Sequence, residues 1–66
     1  SDSSARLVAQ ILERLSPRYR AVLELRFLRG YTIEETAREL ELTAVNVKVI
    51  QHRALAKAVE LAGDRV

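Results

Sequence analysis

Apolar side chains recur along the first part of the chain at Leu7, Val8, Ile11, Leu12 and Leu15. Spacings of one, three, one and three put them on a single stripe of an amphipathic helix, so a first helix is expected from Ala5 onward. Ser16-Pro17 then reads as an N-cap followed by the first helical position: serine accepts from a free amide, and proline sits where an N–H would be orphaned anyway. The second helix carries Tyr19, Val22, Leu23 and Phe27 on the face expected to be buried, and Gly30 supplies its left-handed terminating residue. Its other side is expected to expose Arg18, Arg20, Arg26 and Arg29 against the single Glu24, a candidate phosphate-facing surface.

Thr32 and Glu35 have the spacing of a capping box, which marks where a third helix starts. Ile33, Ala37 and Leu40 form its apolar stripe. The turn Glu41-Leu42 leads to Thr43, the N-cap of a fourth helix that is expected to run to about Ala62 and stop at Gly63. The expected fold class is all-α, a small four-helix domain containing a helix-turn-helix over residues 5–66, with 1–4 as a disordered tail or a remnant of expression.

In a helix-turn-helix the first helix braces the second, whose N-terminal half enters the major groove. If Val47, Ile50, Ala54 and Ala58 face the core, Val45, Val49, His52, Ala56 and Val59 fall on the outward face of the last helix. Charge sharpens this picture. Between Thr43 and Ala58 the charged residues are Lys48, Arg53 and Lys57, with no acid, whereas the third helix holds Glu34, Glu35 and Glu39 against Arg38. Positive charge thus gathers on the helix that would meet phosphates. Two amphipathic helices of an ordinary bundle would show the same cap spacing, so the spacing alone leaves both readings open.

Composition adds limits. Sixty-six residues are close to the smallest chain that folds without a disulfide or metal, and the chain has no cysteine and one histidine. Stability must come from packed helices. No apolar run approaches the ~20 residues of a membrane span, so no membrane association is expected, and the location expected is cytoplasmic. His52 lacks companion ligands for a metal, no glycine-rich phosphate loop is present, and Glu34 and Glu35 are adjacent on a helix and diverge. A non-enzyme without cofactor or metal is expected.

The blocks "LSPRYRAVLELRF", "GYTIEETARELELT" and "VKVIQHRAL", in that order and spacing, resemble region 4 of bacterial RNA polymerase sigma factors from Leu15 to about Ala62. "VKVIQHRAL" is closer to the extracytoplasmic-function (ECF) group than to the housekeeping factors. The resemblance implies promoter recognition at the −35 element by the C-terminal domain of an alternative sigma factor. It also implies two protein partners, the flap of the RNA polymerase β subunit and an anti-sigma factor. Departures from the family pattern are Glu41, where glycine is common, and Ala44, Val45 and Val49, where relatives often place polar base-reading side chains.

Candidate DNA-contacting residues are therefore Thr32, Thr43, Ala44, Val45, Asn46, Lys48, Val49, His52, Arg53 and Lys57. Thr32 and Thr43 are first of all caps, but they also aim free amides toward phosphate. Lys48 is within reach of guanine or phosphate, and valines can meet thymine methyls but make no bidentate hydrogen bonds. Asn46 and Gln51 lie on the flanks of the helix, and Gln51 is expected to be structural. Two rival readings remain. One is a LuxR-type response-regulator output domain, which shares "LSPR". The other is a sigma-like domain used mainly for protein interaction, motivated by the apolar outward stripe.

Overall fold

The computed structural model describes residues 2–64, with side chains from residue 3. Four α-helices follow one another: α1 Asp2–Arg14, α2 Pro17–Leu23, α3 Ile33–Leu40 and α4 Ala44–Gly63. α2 runs on into a π-helical segment, Glu24–Leu28. No strand occurs among the described residues. The four-helix, all-α domain with its helix-turn-helix is thus the fold observed.

The helix starts are those the capping chemistry indicates. Ser16 Oγ accepts from Tyr19 N at 3.3 Å with Pro17 at the first position of α2. Thr32 N donates to Glu35 Oε1 at 2.8 Å while Glu35 N donates to Thr32 Oγ1 at 3.0 Å, the full reciprocal box. Thr43 Oγ1 accepts from Asn46 N at 3.1 Å. Each cap satisfies amides that the helix itself cannot.

Two apolar clusters hold the helices together. Val22, Ala37 and Val47 meet under the α3–α4 angle, flanked by Ile33, Leu40, Leu42 and Ile50. Leu15, Leu23, Ala54 and Leu61 meet under α1, flanked by Ile11, Leu12, Tyr19 and Ala58. Thr36 is also buried; its Oγ1 donates to the Thr32 carbonyl at 2.9 Å, so the hydroxyl is not orphaned.

Several expectations need correction. α1 opens at Asp2, three residues before Ala5, because serine and aspartate favour helix starts; Ser1 lies outside the described residues. Leu7 and Val8 stay substantially exposed, since only the C-terminal part of α1 meets the core. Phe27, expected to be buried, is 53% exposed, and Leu25 is buried instead. The π-helical segment is the reason: Arg29 N donates to Glu24 O at 3.0 Å, five residues back, so a projection at α-helical period fails there. Arg26 does not join the exposed arginines but turns inward. Gly63 is the last residue of α4 and lies outside the left-handed region, which Gly30 occupies at φ 73°.

Candidate nucleic-acid interface

The turn between α3 and α4 sets the geometry of the site. Glu41 adopts φ 56° and ψ 46°, the left-handed conformation that favours the glycine common at this position in relatives. Its N–H donates to the Arg38 carbonyl at 3.3 Å, and Leu42 N–H donates to the Ala37 carbonyl at 2.8 Å. These two bonds form a Schellman closure, completed by the apolar packing of Leu42 and Ala37 in one cluster. The turn costs about 1 kcal/mol for a non-glycine residue, and the burial of Leu42 offsets it. Two residues after Glu41, Thr43 caps α4, so the angle between the helices is defined at both ends of the turn.

α4 divides into the two faces the periodicity indicates. Val47 and Ala54 are fully buried, with Ile50 and Ala58 partly buried beside them. On the opposite face Val45 is 68%, Val49 40% and Val59 72% exposed. Asn46, Lys48, His52, Arg53 and Lys57 are exposed, and Ala44 is partly covered. Thr32 and Thr43, both exposed, place the N-termini of α3 and α4 in solvent.

The expected residues are not all equivalent. Thr43 to Arg53 occupy the first three turns of α4, the length that fits a major groove. Lys57 lies about 20 Å along the helix from Thr43 at ~1.5 Å per residue. Its Nζ pairs with Glu60 Oε1 at 3.3 Å, so its charge is partly answered within the chain. The Thr32 amide and then its hydroxyl hold the Glu35 carboxyl below its ordinary 4.5, with a further small contribution from Arg38. Glu35 is thus engaged in capping the N-terminus of α3.

A fully capped α3, a Schellman turn and an α4 exposing a basic, acid-free N-terminal half are the parts of a DNA-binding helix-turn-helix. Residues 11–57 match the family model for sigma-70, region 4. The chain belongs to that family. Over 52 residues it is 40% identical to the ECF RNA polymerase sigma factor SigX of Bacillus subtilis (strain 168), covering 79% of this chain and 27% of that protein. The sigma region 4 domain described here thus spans about a quarter of the length of that relative. No solved structure matches it. Membership makes it a DNA-binding domain of the transcription-initiation machinery, ECF-like in type.

A second surface lies on the first and second helices, where partly uncovered apolar residues were expected to face the flap but the sequence did not say which. Val8, Ile11, Leu12, Leu23, Phe27, Leu28, Leu55 and Ala58 line an apolar groove of about 250 Å³ between α1, the π-helical segment and α4. Val8, an exposed member of the first helical stripe, belongs to it. Only the π-helical segment swings Phe27 and Leu28 to its edge, and no residue pattern announced that segment.

Proposed function

We propose that this sigma region 4 domain reads the −35 promoter element as the C-terminal domain of an alternative sigma factor, with α4 in the major groove. The observation that carries the reading is the exposed, acid-free N-terminal half of α4 held at a defined angle by the Schellman turn. In it Val45 and Val49 contact thymine methyls, Lys48 reaches guanine or phosphate, and Asn46, His52 and Arg53 flank them. The amides at Thr32 and Thr43 bind backbone phosphates, and Lys57 makes an outlying backbone contact. Ala44 lets the helix approach closely. The apolar groove takes an apolar segment of the polymerase β flap, and an anti-sigma factor regulates the domain by covering such surfaces. The domain is a transcription regulator rather than an enzyme and acts in the cytoplasm; no helix among the described residues is long and apolar enough to cross a membrane.

The test is selection of random duplex DNA by the domain fused to a flap segment, followed by titration of the enriched duplex at two salt concentrations. A defined motif whose affinity falls steeply with salt is expected, because phosphate contacts release counterions. The absence of any enriched motif, with tight flap or anti-sigma binding retained, would replace promoter reading by a protein-interaction role. One observation favours that second reading: Val59, the most exposed of the large apolar side chains among the described residues, continues the stripe beyond the reach of one groove.

A further inference from the structure

Arg26 lies within the π-helical segment and turns toward α4 rather than toward solvent. Its Nε–H donates to Gln51 Oε1 at 2.8 Å, and its NH1 group donates to the Tyr31 carbonyl. A guanidinium only donates, so the Gln51 atom facing it must be the oxygen. Tyr31 N–H in turn donates to the Leu25 carbonyl at 2.9 Å. One side chain thus ties together the π-helical segment, the loop that leads into α3, and the middle of α4. Both of its acceptors are neutral, and among the described residues no carboxylate pairs with it.

The other contacts that seat α4 are apolar: Val47, Ile50, Ala54, Ala58 and Leu61 pack against the other helices without directional bonds. They fix how deeply the helix sits, but weakly resist its rotation or sliding. Among the described residues the Arg26–Gln51 bond is the one hydrogen bond that joins α4 to another element. Gln51 lies one turn after Val47 and Lys48, directly behind the face expected to read bases. A planar fork that donates in two directions suits this position, whereas a lysine ammonium is a point charge on a flexible stem.

We propose that Arg26, acting through Gln51, is a positioning residue for promoter reading: it sets the rotation of α4 so that Val45, Lys48 and Val49 meet base edges in register. This rests on the promoter-binding reading of the α4 face. Base readout needs sub-ångström register, whereas phosphate attraction tolerates misplacement. Loss of the link therefore lowers discrimination between sequences and leaves general DNA affinity in place.

The experiment measures the affinity of the 66-residue chain for the selected duplex and for a scrambled duplex, in wild type, Arg26→Lys, Gln51→Leu and Gln51→Glu. Arg26→Lys and Gln51→Leu preserve the net charge, so scrambled-duplex affinity should hold while the selected-to-scrambled ratio falls about tenfold, the scale of one mismatched base pair. Gln51→Glu keeps an acceptor for Arg26, so it should weaken binding to both duplexes alike and retain the ratio. A Gln51→Leu domain that keeps the wild-type ratio overturns the positioning role while promoter reading stands. A wild-type domain that shows no preference overturns both. If Gln51→Leu fails to fold, the wild-type Arg26 Nε–H resonance decides: slow solvent exchange supports the link, and exchange at the rate of a free arginine overturns it.

Discussion

The two halves of this small domain are built to different standards of closure. Under the α3–α4 angle, Val22 and Val47 are completely buried, the turn carries two backbone hydrogen bonds, and both helices start on side-chain caps. Under α1, the apolar surface is left as a groove with Phe27 and Leu28 more than half exposed. The difference follows from what each half does in the proposed role. A helix that reads bases must be rigid before it meets DNA, whereas a groove that takes a polymerase segment must keep its apolar surface open until the partner arrives.

Substitutions in the two halves should therefore fail in different ways. The largest effect is expected from Val47→Asp. Burying an uncompensated carboxylate costs several kcal/mol, and a core this small rarely supplies more than about 3–5 kcal/mol. Circular dichroism should show an unfolded chain at 25 °C; a folded variant would mean that the α3–α4 cluster is less closed than described. Leu28→Ser in the groove should shift stability by no more than about 0.5 kcal/mol, as for other exposed sites, yet weaken flap-segment binding by about 2 kcal/mol. Equal losses in melting and in binding would erase the distinction between the halves.

On the DNA side, Lys48→Ala should cost roughly 1–3 kcal/mol of affinity for the selected duplex with the melting curve unchanged. Unaltered affinity would remove Lys48 from the interface. Smaller effects are expected at the turn. Glu41→Gly should raise stability by about 1 kcal/mol by relieving the left-handed strain, and Thr43→Ala should lower it by about 1 kcal/mol through loss of the cap. Opposite signs in thermal or urea melts are the result to look for.

The smallest effect concerns pH. The folded-state pKa of Glu35 lies below its ordinary 4.5, so its capping contribution is fully present above that value and is lost as pH falls through the folded value. Melting temperature should decline in acid less steeply for Glu35→Gln than for wild type, because glutamine keeps the reciprocal bonds without titrating. Identical acid profiles would show that the box contributes nothing measurable through its charge.

Local chemistry was legible wherever a residue acts on its own neighbours. Ser16, Thr32 and Thr43 announce the starts of α2, α3 and α4, and Gly30 and Glu41 take the left-handed conformation required where two helices end. The outward stripe of α4 followed from period alone, since that helix is regular for its whole length. The misplacements after α2 share one cause. Phe27, Leu25 and Arg26 all lie at or within the π-helical segment, where one widened turn shifts every later side chain relative to an α-helical projection.

The amino-acid sequence by itself thus determined the four helices, their caps, the helix-turn-helix and the family to which they belong, because caps, turns and stripes are short-range properties of the chain. The tertiary structure alone decided that Arg26 reaches Gln51 across 25 residues and that Phe27 and Leu28 edge an open groove. Those outcomes depend on how finished helices lie against one another, and small rotations of a helix decide which side chains meet.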